Sequence, residues 1–544
     1  MFAGVILLAL APRLWCFARN QLPEGDAGNY LEVGHNLALG RGYVTYAKWD
    51  FYGPTASVVH PEGNRQPFLP LVVAATFRAG AASPTAARAV TLLASLAALA
   101  LLYACLRRWF GAPVALAGAA LVAVEPAFLW FSVRVQTEVY FTLLFLAALW
   151  AAGDFREEKP SYVRPLAVGV LLSLSYLCRV NGFLLLAAYV AALIIIYGRR
   201  GVVAGAAALA AFAVVAAPWW VRNARVFGDP FYSQAKYFVL APTFDAVWAY
   251  RRSVPTWDSF FETYGVVGFL ARYARGLWRA VEPLLLGNLH FREPYQGAPA
   301  ALFVAFAFFA RPALKRARAW LFPGLALALH ILVFALYGQG LFRYFVPFYV
   351  LLLPVGLAGA WAAASFMSDR PARARVALLA VLALILVRPL GKTLAADDRR
   401  EYRAVRAVSE WIKSNVPPGA VVVSWPRVCG LLYDYDRPTL FWPSGPLHDA
   451  LYVLCEYDAR YAVVEPETVR LRSGLRAIWT VGPTGLAKVS PPVSEGKLVV
   501  TRADYGADAF IFSYRPEDAD VLVYEVDQTQ LRRMLYYTYV TGVR

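Results

Sequence analysis

A chain of 544 residues that is 59% hydrophobic, 15% aromatic and only 16% charged carries more apolar surface than a soluble core could hide, and its apolar runs reach membrane-spanning length. That excludes a soluble enzyme and predicts an α-helical polytopic membrane protein. The formal net charge of +17 does not point to nucleic acid: residues 395–544 hold 18 Lys+Arg against 19 Asp+Glu, so the excess lies wholly in the membrane part, where topology signals and lipid phosphates account for it.

Residues 2–18 form the first span, interrupted by Pro12 and Arg13 and without the charged start or small-residue cleavage site of a signal peptide. Directly after it, PEGDAGNYLEVGHNLALGRGY is dense in polar groups where a membrane protein usually makes a short turn. Asp26 sits in a glycine-flanked turn that leaves its carboxylate open to a ligand, and a helix-like run from Tyr30 to Leu39 holds the turn at the bilayer surface. This loop reads as part of an active site. RQPFLPLVVAATF, at 65–77, is too short to cross comfortably and is expected to lie as a re-entrant or interfacial helix. Further spans fall near 86–106, 113–131, 138–152, 165–177, 182–197, 202–220, 298–310, 320–336, 342–366 and 376–387, about eleven with the first.

Basic residues cluster in alternate connections: Arg107 and Arg108; Arg156, Lys159 and Arg164; Arg199 and Arg200; Arg311, Lys315, Arg316 and Arg318; Arg370, Arg373 and Arg375. The positive-inside rule assigns these to the cytoplasm. Loops 20–85 and 221–297 and everything after Arg388 then lie outside it, in a bacterial plasma or inner membrane. Single arginines left on the outer side, Arg65, Arg134, Arg179, Arg222 and Arg343, oppose that rule and call for a ligand. Within loop 221–297, SFFETYGVVGFLARYARGLWRAVEP is an amphipathic interfacial helix, either a bilayer anchor or a gate over a substrate groove. Trp49, Tyr52 and Trp257 are interface anchors by position, with sugar stacking as the alternative.

The membrane domain is expected to end at 394. Residues 395–544 change to a soluble composition: a helix with Tyr402, Val405, Val408, Trp411 and Ile412 on one face, then AVVVSW, ARYAVVEP, GKLVVTR, AFIFSYR and DVLVYEV as short strands. The expectation is a small extracytoplasmic α/β domain with an incomplete Rossmann-like sheet and no phosphate-binding glycine loop. Cys429 and Cys455 could pair, but nothing local requires it.

Asp26 and Glu138, the latter at the start of a span in VQTEVY, bring two carboxylates to the same outer level as the arginines. Carboxylates can act as general base or hold a divalent cation, and Arg grips phosphate; an acid at a helix start also simply suits the helix dipole. GDAGNYLEVGHNLALGRGY, RQPFLPLVVA, WFSVRVQTEVYFTLLF, LCRVNGFLLL, APWWVRNARVFGDPFY and GLFRYFVPFYVLLLP, in this order, resemble the landmarks of the type C fold of glycosyltransferases, nearest to the protein O-mannosyltransferases and the aminoarabinose transferases of lipid A. The resemblance covers roughly residues 1–390, and the tail is similar to the small extracytoplasmic domain of those relatives.

The resemblance implies a polyprenyl-phosphate-linked sugar as donor, an extracytoplasmic acceptor that is a glycan, a lipid or a protein, and inversion at the anomeric carbon. On the matching positions Asp26 is the base, Glu138 the second acid positioning a metal or the acceptor, and Arg179 and Arg343 ligands of the donor phosphate. Arg65, Tyr344, Arg222 and Glu24 are pocket-wall candidates, and Mg²⁺ or Mn²⁺ on Asp26 and Glu138 is the cofactor the resemblance allows. Many relatives have Asp-Glu where Asp26 is followed by Ala27, so either Glu24 substitutes or the acceptor differs from a protein hydroxyl. Three other readings compete. A nucleotide-sugar transferase would use Asp434-Tyr435-Asp436, a pattern that Asp518-Ala519-Asp520 repeats by chance. A transporter or flippase for lipid-linked sugar would show paired broken helices in corresponding halves, and a sensor working through its tail would not need Asp26.

Overall fold

The computed structural model describes residues 2–23, 26–51, 56–80, 82–155, 163–241, 245–250, 255–286, 317–337, 342–366, 371–424, 437–464, 486–488, 493–494, 497–498, 522–529, 531, 532 and 535. Helices α1 (Phe2–Arg19), α2 (Asp26–Ala38) and α3 (Phe68–Arg78) are followed by α4 (Pro84–Phe110), α5 (Ala112–Ala123), α6 (Pro126–Ser132) and α7 (Thr137–Ala152). Next come α8 (Val163–Cys178), α9 (Gly182–Tyr197), α10 (Arg199–Phe227), α11 (Ala235–Leu240), α12 (Trp257–Leu286), α13 (Ala317–Ala335), α14 (Val346–Phe366) and α15 (Pro371–Ala395). Among the described residues five helices are long and apolar enough to cross a membrane, Phe2–Arg19, Pro84–Phe110, Arg199–Phe227, Arg318–Ala335 and Arg343–Ala363. Shorter apolar helices such as α7, α8 and α9 pack among them, where burial against neighbours offsets their length. The span expected at 298–310 lies outside the described residues.

The segment expected as one span at 113–131 is instead broken: α5 and α6 meet at 64°. Two buried charges make the break tolerable. Glu125 caps α6, its carboxylate accepting from the backbone amides of Ala127 and Phe128 at 3.1 and 2.7 Å, while Arg13 donates to the Ala123 carbonyl ending α5 at 2.7 Å and to Ser95 Oγ at 3.0 Å. The arginine that made the first span look poor therefore satisfies backbone left open inside the bundle. A helix is present in loop 221–297 as expected, α12, with Gly265 at φ +61° interrupting its helical backbone.

Arg108 pairs with Asp154 at 2.9 Å, which puts the α4–α5 connection and the end of α7 at one end of the bundle. Asp26, Glu138, Arg179 and Arg343 gather elsewhere, where α1, α8 and α10 end and α4, α7 and α14 begin.

The tail forms an α/β unit whose six-stranded sheet contains a strand from the first loop. Strands β1 (Val44–Thr45), β2 (Ala47–Lys48) and β3 (His60–Pro61) belong to that loop; β4 (Val421–Ser424), β5 (Thr439–Phe441), β6 (Ala459–Val464), β7 (Leu486–Lys488), β8 (Val493–Ser494), β9 (Lys497–Leu498) and β10 (Leu522–Val526) to the tail. The order is β2-β5-β4-β6-β10-β7, parallel through the first four and antiparallel at β10 and β7. A parallel sheet must be covered on both faces. Helix α16 (Arg399–Asn415) covers one, where Val405, Val408 and Ile412 meet Val422 and Val463; helix α17 (Leu447–Glu456) covers the other, where Leu451 and Leu454 meet Val423 and Leu440. Thr439 N donates to the Tyr46 carbonyl at 2.7 Å, so this sheet grips the loop that begins with Asp26.

Candidate active site

Four charged side chains of the candidate site, Asp26, Glu138, Arg179 and Arg343, sit at or beside helix ends. Asp26 opens α2 and Glu138 lies in the first turn of α7, where carboxylates suit the helix N-terminus. Arg179 follows α8 directly, and Arg343 lies in a single turn of 3₁₀ helix, Phe342–Phe345, before α14. Helix α2 is seated on α3 by Gly34, where an added Cβ would come 2.5 Å from Val73. Asp26 is therefore the first residue of a packed helix rather than part of an open turn.

One guanidinium ties the two acids together. Arg343 Nη1 lies 2.8 Å from Asp26 Oδ2, its Nε donates to Glu138 Oε1 at 2.5 Å and its Nη2 to Gln136 Oε1 at 2.9 Å. Arg179 donates to Glu138 Oε1 at 2.9 Å and to Thr137 Oγ1 at 2.8 Å, and stacks 4.3 Å over the Tyr344 ring. Arg65 donates to Asp26 Oδ1 at 2.6 Å and to Asn29 Oδ1 at 2.8 Å. Three arginines thus face two carboxylates, which leaves one positive charge in excess and suits an incoming anion. The Glu138 side chain is fully buried, and its Oε2 has no hydrogen-bond partner among the described residues. Burial alone would raise the Asp26 carboxyl, but the guanidiniums of Arg65 and Arg343 overturn that and hold it well below the usual carboxylate range.

A mostly apolar cavity of about 740 Å³ adjoins Arg179 through their shared neighbour Tyr344. Tyr176 of α8, Phe183 of α9, Phe212 and Trp220 of α10 and Phe334 of α13 line it with Tyr337 just beyond α13, and Asn181 and Lys236 are polar points on its wall.

Of the residues singled out in the sequence, Asp26, Glu138, Arg179, Arg343, Arg65 and Tyr344 come together. Arg222 does not: it stacks on Tyr43, Trp219 and Phe227 and donates to the Tyr43 carbonyl at 3.2 Å, while Tyr43 in turn donates from its hydroxyl to the Arg65 carbonyl at 2.9 Å. It stands one residue behind the pocket. Arg134 is not part of this cluster either: it stacks on Trp130, donates to Asn20 Oδ1 at 3.1 Å and lies 3.8 Å from Asp398, joining the end of α1 to the tail. Trp49 is buried against Phe238 and Trp248 and is not an interface anchor. Glu24, Tyr52, Cys429, Asp434, Asp436, Asp518 and Asp520 lie outside the described residues. Sequence reasoning missed Asn29, Gln136 and Thr137; the signal was a polar side chain within three residues of each acid.

Asp26 and Glu138 do not fit a metal pair in this arrangement. The Arg343 guanidinium already spans both carboxylates, and a bridging divalent cation would have to displace it. Among the described residues no group of three His, Cys, Asp or Glu could hold a metal ion.

Behind the site Glu32 is buried, accepting from Tyr46 N at 2.7 Å and Thr45 Oγ1 at 2.8 Å. Burial pushes its carboxyl up to about 7 despite these donors, and Glu62 adds to the rise. A raised folded pKa means stability present below the unfolded carboxylate range and lost as pH rises through 7. The thermal midpoint is expected to fall between pH 5 and pH 8, by the equivalent of about 3 kcal/mol from this group. Glu32→Gln should flatten that slope in thermal melts; an unchanged slope would assign it to other groups.

Residues 60–221 match the family model of dolichyl-phosphate-mannose-protein mannosyltransferase. Over the whole chain the structure is similar to ArnT from Cupriavidus metallidurans bound to undecaprenyl phosphate, with TM-score 0.57 and 14% identity over 96% of this chain and 97% of that one. It is also similar to the oligosaccharyltransferase AglB from Archaeoglobus fulgidus in complex with an inhibitory peptide and a dolichol-phosphate, with TM-score 0.54 and 16% identity over 92% of this chain and 74% of that one. The chain has the type C glycosyltransferase fold. The fold that the resemblance implied is thereby borne out. AglB has also been solved in complex with Zn and sulfate (TM-score 0.56, 16% identity, 92% of this chain and 73% of that one), although the acids of this chain are occupied by arginine. No curated protein sequence matches.

Proposed function

We propose that this protein is an inverting glycosyltransferase that moves a monosaccharide from a polyprenyl-phosphate donor to an acceptor hydroxyl outside the cytoplasm. The observation that carries the reading is Arg343 shared between Asp26 and Glu138, beside Arg179 and the apolar cavity. The donor phosphate replaces carboxylate as the partner of Arg343 and Arg179, and the lipid tail takes the cavity. A buried arginine is costly without an anion, and a lipid phosphate supplies one at the right depth. That the solved relatives hold dolichol-phosphate and undecaprenyl phosphate supports the same donor class.

Chemistry then needs few parts. As Arg343 turns to the phosphate, Asp26 Oδ2 is released and its proton affinity rises. The acceptor oxygen attacks the anomeric carbon from the face opposite the phosphate; its proton passes to Asp26, and the bond from anomeric carbon to phosphate oxygen breaks. The products are the inverted glycoside and polyprenyl phosphate, whose charge remains on Arg179 and Arg343. General-base assistance of this kind contributes roughly 100-fold to 10,000-fold. Reconstituted protein given polyprenyl-phosphate sugars tests the reading: it predicts release of polyprenyl phosphate with one inverted product, and lipid translocation without cleavage would favour a flippase instead.

The same reading places the site on the extracytoplasmic face. With Cys429 and Cys455 replaced by serine, Ser57→Cys is expected to react with an impermeant thiol reagent in intact cells and Arg200→Cys only after lysis; both positions are exposed. The opposite pattern would put the site in the cytoplasm.

A further inference from the structure

Asn29 lies between Glu32 and Arg65 and has one amide face for each. Its Oδ1 accepts from Arg65 Nε at 2.8 Å, and its Nδ2 points at Glu32 Oε2 at 3.4 Å and Thr45 Oγ1 at 3.2 Å. Asn29, Glu32 and Thr45 are buried, and Arg65 in turn donates to Asp26 Oδ1 at 2.6 Å. The orientation of Asn29 is therefore decided by what stands behind it. An ionised Glu32 only accepts: Tyr46 N donates to one oxygen, and Thr45 Oγ1 and Asn29 share the other. That leaves the Asn29 carbonyl oxygen no position but the one facing Arg65.

We propose that Glu32 is a positioning residue for sugar transfer: by holding the Asn29 amide with its oxygen toward Arg65, it fixes the guanidinium that orients the Asp26 carboxylate. The proposal rests on the reading of Asp26 as the base. The relay reaches further, because the Tyr46 amide that donates to Glu32 belongs to the residue whose carbonyl accepts from Thr439 N of the tail sheet. Glu62 secures the same arginine from its other side, its Oε1 accepting from the Arg65 backbone amide at 3.0 Å. Arg65 is thus held at its backbone by Glu62 directly and at its side chain by Glu32 through Asn29.

Glu32→Gln isolates the effect with almost no change of shape. The new amide puts a donor where Asn29 also donates, so Asn29 turns over and presents its NH₂ to Arg65 Nε, donor against donor. Loss of a hydrogen bond to a charged group predicts a fall in kcat of about tenfold or more. Donor-lipid affinity stays unchanged, because Arg179 and Arg343 are untouched. Adding Asn29→Asp restores the match, with the introduced glutamine amide donating to one oxygen of the new carboxylate and Arg65 to the other, and most of the lost rate returns. In an Arg65→Lys background, which lacks Nε, Glu32→Gln causes no further loss.

The experiment measures kcat, donor binding and melting temperature at pH 8, where Glu32 is ionised, for these variants beside Asp26→Asn. The expected pattern is a loss confined to kcat in folded Glu32→Gln protein, with recovery in the double variant. Asp26→Asn inactive while Glu32→Gln keeps full kcat overturns the relay and leaves the base assignment standing. Rate lost only in proportion to lost folded protein, or no recovery with Asn29→Asp, also overturns it. Asp26→Asn at normal rate removes the base assignment itself.

Discussion

Asp26→Asn is expected to lower sugar transfer by roughly 100-fold or more while polyprenyl phosphate binds as well as before, or better. The amide keeps the size of the carboxylate at the start of α2 but cannot take a proton from the acceptor. It also ceases to compete for Arg343 at 2.8 Å, so the incoming phosphate meets a freer cation. Rates under saturating donor, with lipid affinity measured separately, distinguish the two effects. A variant that transfers sugar at near-normal rate would show that Asp26 is only an ion-pair partner.

Arg343→Lys is expected to cost transfer by about 100-fold, the scale seen when one aligned donor to developing charge is removed. A lysine ammonium cannot meet Asp26, Glu138 and Gln136 at once, nor hold phosphate in two parallel bonds. The competing view is that the arginines serve only to keep Glu138 buried, and breaking such a pair typically costs about 3–5 kcal/mol. Glu138→Gln separates the two. In that background the buried charge is gone, so Arg343→Lys and Arg179→Lys melt normally; if they still bind polyprenyl phosphate weakly and non-additively, the arginines hold the donor. Recovery of full binding once Glu138 is neutral would make them scaffold.

Much of this arrangement was legible from sequence because a few strong rules applied. Apolar runs located the helices α1, α4, α7, α8, α9, α10, α13 and α14, and single arginines outside the basic clusters pointed to Arg65, Arg179 and Arg343. The same rule misled at Arg134 and Arg222, because cation–π stacking on Trp130, Tyr43 and Trp219 also accommodates a lone arginine and leaves no pattern in spacing. The break between α5 and α6 was missed since Glu125 and Arg13 satisfy it from different parts of the chain. Equally, Asp26, Glu138, Arg179 and Arg343 each marked a charge needing a partner, but not that they would partner one another. Strands β2 and β5, two and three residues long, carry too little periodicity to be read at all.

The short strand Ala47–Lys48 has a consequence for when the protein can work. Its neighbours in the sheet, Thr439 and Leu440, are made almost four hundred residues later, so during synthesis the loop bearing Asp26 enters the membrane long before the edge that will seat it exists. Pairings this distant in sequence form late, after the intervening chain has been threaded and packed. On the proposed reading, catalytic competence is tied to completion of the polypeptide, and a chain cut short before residue 439 would lack the clasp that holds the loop of Asp26.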